Sequence, residues 1–415
     1  MSTLRLLAGR QFNLLERGVV TMSPAASAIY PPSRLYDGAS EWPARFGSLT
    51  SGPYVQVDLD QFLGTGNMDA WSGGLPGAGW AKTGTVVADT GTKQAGASSA
   101  KLSVGTLVYT RWARAGEKFT LAGYLRGDAT NATTLRVRNL QTGMYGTSGG
   151  AWQAGAVDAA TRTTASFALS SLTWTVEGSA VCRTDLVQLE ITFTNAVGDG
   201  WADEWTWVPD VDWCSIHGHN LDPLNVLKLR SDSDVAFGTA VDRATFSVKR
   251  RAFFAYLTTP INARFWRVQA TGTNSAASGA VQVGEIILGQ SVGLSTGLDF
   301  PIEVELDRPQ VRLVSGSGGE SAASTSADLA RRLTLRATYN GRTAWDEMVE
   351  AILEATQNGL YPLVLAPEVG GGADGDADLV VFGRLANPVP LRRTQYLSRS
   401  VSLGLREFPF PPPVV

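Results

Sequence analysis

The chain is short of the residues that usually carry chemistry. Histidine and cysteine occur twice each in 415 residues. Two cysteines give no disulfide framework, so Cys182 and Cys214 are expected to be small apolar core residues. Long apolar runs are missing too. Nothing approaches the roughly 18 residues that a membrane helix needs. The opening MSTLRLLAGRQFNLLERGVV is broken by Glu16 and Arg17 and has no small-residue cleavage site. The chain is therefore expected to be made in a cytoplasm and to stay soluble, without membrane insertion. Excess charge is also absent. The formal net charge is −3 and the pI about 5.6, which leaves no basic face for nucleic acid. The cluster Lys249-Arg250-Arg251 reads as a solvated edge between strands.

What is present is glycine, 45 residues of it, and short apolar runs set between turn residues. That pattern predicts a strand-rich protein of two to four domains. YVQVDLDQF alternates, with Val55, Val57 and Leu59 on one face and Tyr54, Gln56, Asp58 and Asp60 on the other. From residue 64 the chain turns rich in Gly, Ala, Ser and Thr. Strand candidates follow at 107–113, 118–126, 134–139, 165–169 and 186–195, the spacing of an all-β sandwich. VDWCSIHGHNL and NVLKLRSDSDVAF resume the earlier style, and further strands are expected through residue 290. SGSGGESAASTS, residues 315–326, is expected to be a linker without structure of its own. After it, ADLARRLTLRATY alternates, and TAWDEMVEAILEATQNG predicts a helix. There Trp345, Met348, Val349, Ile352 and Leu353 share one face, Thr343 is the N-cap and Gly359 the stop. Strands at 361–366, 379–384 and 397–406 complete a small α+β module, and PFPPPVV closes the chain as an extended tail.

CSIHGHNL holds both histidines. On a strand Cys214 and His217 point to opposite faces, while His217 and His219 share one. A two-His pair is geometrically possible, with Asp210, Asp212 and Asp222 nearby, but zinc needs more ligands than the pair supplies. The structural reading makes Ile216 core and has His219 and Asn220 bonding the backbone of the following turn. No metal and no cofactor is expected.

DWCSIHGHNL resembles the strand and turn of discoidin-like β-sandwich domains in tailed-phage structural proteins, where an aspartate and an apolar strand precede Gly-His-Asn-Leu. YPPSRLYDG and YVQVDL resemble that domain's early strands. RFWRVQAT followed by VQVGEIILG resembles its late ones. The early strands end near residue 62 and the later ones begin near 211, so residues 64–208 are expected to be a domain inserted into a loop. The resulting division is 1–63 plus 209–292 for the split sandwich, 64–208 for the insert and 293–415 for the C-terminal module. The insert resembles carbohydrate-binding-module-like jelly rolls: NMDAWSGGLPGAGWAKTGTVVADT matches their opening and GEKFTLAGYLRG an internal strand. GDGWADEWTWVPD stands where their last strand usually reads Asp-Asp-Val, and departs by carrying Trp201, Trp205 and Trp207.

A sugar-binding surface needs exposed rings beside convergent polar groups. Tyr145 and Trp152, in the Gly-rich TGMYGTSGGAWQAG, are the expected glycan platform; the structural alternative folds both over the sandwich edge. Tyr109 and Trp112 should face opposite ways, and Trp71 and Trp80 should pack in the core or at its edge. No nucleophile elbow, phosphate loop or His dyad occurs. Asp203 and Glu204 are adjacent and should point apart, so no catalytic residue and no enzyme is expected. The resemblances imply a virion protein of the distal tail or baseplate of a tailed phage. It would assemble with copies of itself and with tail-tube, baseplate or tail-tip proteins into a ring or collar, and present a sandwich to a host surface glycan. A receptor-binding fibre component is the alternative, and a polysaccharide hydrolase a further one.

Overall fold

The computed structural model describes residues 5–8, 13–23, 31–36, 44–46, 52–63, 65–177, 186–221, 226–247, 252–272, 281–293, 299–307, 310–314, 320–324, 330–340, 362–366, 380–385, 391–393 and 398–407. The helix expected at 343–359, Cys182, the Lys249 cluster and the tail at 409–415 lie outside them. The protein is mainly β and built from large antiparallel sheets, a β-sandwich fold. It divides into two compact units. One comprises Met1–Asp58, Val211–Ile261 and Phe265–Val415; the other comprises Leu59–Asp210 and Asn262–Arg264. The residues expected as a third module fall in the first unit.

The chain opens with β1 (Arg5–Ala8), a single-turn helix α1 (Leu14–Arg17), β2 (Val19–Ser23), β3 (Ala44–Phe46) and β4 (Tyr54–Asp58). Asn13 caps α1 by accepting from the Leu15 N–H. Its amide also donates to the Ile286 carbonyl at 2.7 Å and accepts from the Leu288 N–H at 3.2 Å, so one side chain extends a strand ladder.

The second unit holds β5 (Trp80–Asp89), β6 (Ser99–Arg114), β7 (Lys118–Arg126), β8 (Thr133–Asn139), β9 (Tyr145–Gly146), β10 (Trp152–Gln153), β11 (Ala160–Arg162) and β12 (Ala168–Thr175). It also holds residues 186–210 of β13 (Leu186–His219). Residues 186–195 of β13 pair with β6, those from Leu189 to Asn195 pair with β8 as well, and its residues from 199 on pair with β6 and then β7. The change comes at a bulge between Asn195 and Asp199. β5 shifts register at Gly84/Thr85 in the same region, so the strands bend together there, as bulges let them. The strand expected at 165–169 begins at Ala168 instead. The Asp128–Asn131 and Thr163–Thr164 segments hydrogen-bond to each other ahead of it, which ends the earlier hairpin later than composition suggests.

Strict alternation along β7, β8 and β13 sends Leu121, Leu125, Leu135, Val137, Leu189, Ile191 and Phe193 inward. There they meet a ring cluster: Phe62 stacks on Trp80 at 5.4 Å, while Phe193 tilts against Trp205 at 5.0 Å and Phe119 against Trp207 at 5.3 Å. Trp80 is core and Trp71 packs at its margin. Asp60 organises this end. Its buried carboxylate accepts from the Phe62 and Trp207 backbone N–H groups.

The remaining strands belong to the first unit: β14 (Val226–Asp232), β15 (Val241–Ser247), β16 (Ala252–Asn262), β17 (Phe265–Thr271), β18 (Val281–Gly289), β19 (Val292–Gly293), β20 (Asp299–Asp307), β21 (Gln310–Val314), β22 (Glu320–Ser324), β23 (Ala330–Asn340), β24 (Leu363–Ala366), β25 (Val381–Leu385), β26 (Leu391–Arg393) and β27 (Ser398–Glu407). One sheet runs β15-β14-β17-β4-β2. Val55, Val57, Leu229 and Trp266 of that sheet line a small cavity with Ile286 and Leu288 of β18, so the two layers face each other as a sandwich. Arg267 sits 3.8 Å from both the Tyr54 and Phe237 rings, clamped on the outer face. A third sheet runs β19-β1-β24-β25-β27-β23-β20. Within 315–326, where a structureless linker is expected, Glu320–Ser324 is a strand paired with Gln310–Val314. Small polar residues cannot drive a core, but their backbone groups pair as well as any.

Gly123 lies under the ring cluster. A Cβ there would fall 2.4 Å from Cδ2 of Trp205. Gly123→Ala should therefore destabilise the unit by about 1–3 kcal/mol through overpacking, read as a lower urea midpoint of tryptophan fluorescence. An unchanged midpoint would mean that the ring cluster yields freely.

Candidate functional site

The side of β6, β13 and β8 that faces away from the core is polar, and its rows follow from register. Thr110 pairs with Glu190, Glu190 with Arg138, Arg138 with Tyr145 and Tyr145 with Gln153. Direct partners in a sheet share a face, so these five residues form one strip across β6, β13, β8, β9 and β10. With strands about 4.8 Å apart, the strip is about 19 Å long. Beside it, Trp112 pairs with Gln188, and the Leu140 N–H bonds to the Gln188 carbonyl. Trp112 is 51% exposed and Leu140 36%. On the other side, Thr192 pairs with Arg136 and Val108.

Two rings thus mark this face, Trp112 on β6 and Tyr145 on β9. The groups between them are unequally satisfied. Arg136 reaches Asp158 through Nη2 at 2.7 Å and Nε at 3.2 Å. Arg138 lies 5.4 Å from the Tyr145 ring centroid, within cation–π range. Its Nε is buried without a hydrogen-bond partner among the described residues. Glu190, its direct cross-strand partner, forms no ion pair with it. A carboxylate to accept from hydroxyls, a guanidinium to donate and two rings for C–H faces are the elements of sugar recognition.

Only half of the pair expected from sequence lies here. Tyr145 pairs with Gln153, and Trp152 with Gly146. Neighbouring residues of a strand point to opposite faces, so Tyr145 joins the strip while Trp152 turns away from it. Trp152 packs against the core, and its Nε1 donates to the Thr175 carbonyl at 2.7 Å. Trp112, separated from buried Tyr109 by the strand alternation, is the ring sequence reasoning passed over. The signal was available: Tyr109 begins an inward set that Trp112 cannot belong to.

The other chemical candidates are held by packing and backbone contacts. Cys214 is fully buried, and burial pushes its thiol up to about 12, far from a thiolate ligand or nucleophile at neutral pH. His217 stacks on Phe382 at 4.8 Å and His219 on Phe253 at 4.6 Å. His219 Nδ1 accepts from the Leu221 N–H at 3.3 Å, and the Asn220 carbonyl oxygen of the side chain from the Gln282 N–H at 2.8 Å. Among the described residues no three His, Cys, Asp or Glu side chains converge as a metal site. Asp203 accepts from the Gln94 and Glu204 backbone N–H groups, and Glu204 has φ +52°, a strained geometry at the bulge between Asp203 and Thr206. Burial holds the Asp203 carboxyl above the ordinary range against these hydrogen bonds. Glu204 is raised by burial and then by Asp203 and Asp69.

The raised Asp203 carboxyl fixes the sign of a pH effect. Folding favours its neutral form, so its contribution is complete below the ordinary carboxylate value and is lost as pH rises through the folded value. Asp203→Asn stays neutral, so it should gain stability relative to the wild type as pH rises above the ordinary carboxylate value. Parallel urea titrations would show it, and a constant difference across pH would contradict it.

No protein-family model matches the chain, and no curated protein matches it in sequence. Among solved structures, the CBM22-1 xylan-binding domain of Paenibacillus barcinonensis Xyn10C is similar over 34% of this chain and 89% of its own, at 12% identity and a TM-score of 0.24. The enzymatically active domain of bacteriophage CBA120 tailspike protein 4 is similar over 34% of this chain and 21% of its own, at 15% identity and a TM-score of 0.23. The tandem CBM22-1-CBM22-2 domain of the same Xyn10C matches 51% of this chain and 92% of its own, at 9% identity and a TM-score of 0.21. At TM-scores this low the likeness carries no argument about what this chain does.

Proposed function

We propose that the Leu59–Asp210 unit binds a glycan through the Thr110–Glu190–Arg138–Tyr145–Gln153 strip, with Trp112 as its second ring. The observation that carries this reading is the juxtaposition of two outward rings with a carboxylate and a guanidinium that do not pair with each other. Pyranose C–H faces stack on rings, while their hydroxyls need both donors and acceptors. Trp112 and Tyr145 stand three strands apart, about 14 Å, which suits several sugars laid across the strands.

The setting we propose is a structural protein of the distal tail or baseplate of a tailed phage, in contact with copies of itself and neighbouring tail proteins. Its support is the ordered set of four sequence motifs, from YPPSRLYDG to VQVGEIILG, on a chain that folds as a β-sandwich. We read the protein as a binder and not a hydrolase. Glycoside hydrolysis uses two facing carboxylates; the strip has Glu190, while Asp158 is tied to Arg136.

Glycan-array binding by the full chain tests this. Tyr145→Ala and Trp112→Ala should each weaken binding by about tenfold through lost stacking. Trp152→Phe, on the other face, should leave it unchanged. Binding insensitive to both ring variants would contradict the site.

A further inference from the structure

Arg138 is the unusual member of the strip. Of the two arginines that β8 turns to this face, Arg136 is neutralised by Asp158 at 2.7 Å. Arg138 has no ion pair among the described residues, and its only ring contact is Tyr145. Glu190 stands directly opposite in register, where a cross-strand pair normally gains from opposite charge. The pair nevertheless stays open. The buried Nε of Arg138 is a further unmet donor. That Nε is out of a ligand's reach, but the terminal Nη groups make no hydrogen bond or ion pair among the described residues and are the donors a ligand can meet.

We infer that the glycan held by this strip is acidic, and that Arg138 receives its anionic group beside the Tyr145 ring. This rests on the proposed glycan-binding role and goes beyond it by naming the ligand class. A guanidinium offers two parallel N–H groups to a planar pair of anionic oxygens. Tyr145 holds the guanidinium by its ring face, which keeps the donors available. Glu190 faces the next strand, where it accepts from sugar hydroxyls and keeps the anion from shifting toward β13. Asp158 fixes Arg136, so a single anion is received and not two. A uronate carboxylate and a phosphate diester offer the same oxygen pair.

The test uses the full chain on an array of neutral, uronate-bearing and phosphate-bearing oligosaccharides. Calorimetry then follows the tightest acidic binder and its neutral counterpart, made by carboxyl reduction or phosphate removal. Acidic members should dominate, and the array arm that binds identifies carboxylate or phosphate. Arg138→Met, which keeps the apolar stem, should weaken the acidic ligand by about tenfold or more and the neutral counterpart far less. Arg138→Lys should restore only part of the affinity, while Tyr145→Ala weakens both ligands. Neutral glycans bound as well as acidic ones, or Arg138→Met acting on both alike, would overturn the inference and leave the glycan-binding reading standing. Binding to no member of the array would overturn both.

Discussion

The second unit depends on the register of one strand. Residues Leu189–Asn195 of β13 are paired on both edges, to β6 and to β8. Slipping either ladder by one residue would exchange Leu189, Ile191 and Phe193 for Gln188, Glu190 and Thr192. The core and the candidate site are therefore two sides of one constraint. The buried rings fix the register, because no other register buries Phe193 against Trp205. The register in turn sets Glu190 between Thr110 and Arg138. The bulge at Asn195–Asp199 ends this arrangement and lets the same strand continue into its pairing with β7.

The outer face divides its charges unequally. Where a charge serves the fold it is closed: Arg136 with Asp158 and Lys101 with Asp199, each at 2.7 Å. Exposed pairs of this kind contribute little to stability, but they remove the charges concerned from competition for a ligand. Glu190 and Arg138 remain open in the middle of the strip. Their neighbours are rings and hydroxyls, which can touch both the apolar and polar sides of a sugar. The first unit shows the contrast. There Arg267, an outward arginine, is enclosed between two rings and bonded to Gln56 at 2.7 Å, so it reads as a clamp.

Much of the fold was legible in the sequence because alternation is a local signal. β7 runs from Lys118 to Arg126 as the pattern predicts, and β8 and the start of β13 lie within a residue of their expected positions. The opposed fates of Tyr109 and Trp112 follow from counting along one strand. The platform did not follow, because Tyr145 and Trp152 sit on two different strands of two residues each. Which face each ring takes depends on how those strands pair, and a Gly-rich turn between them hides that parity. The hairpin at Gln310–Ser324 was hidden for a similar reason: its strands are held by backbone groups, which composition does not report. Arg138 and Glu190 were not singled out because each looks ordinary alone. Their meaning comes from facing each other without pairing.

The most direct measurement of the central claim is a crystal structure of the full chain soaked with an oligosaccharide selected by binding. Sugar density should run across β6, β13, β8 and β9, with one ring stacked on Tyr145 or Trp112 and hydroxyls at Glu190. Density only at strand-end loops or on the β7–β12 face would contradict it.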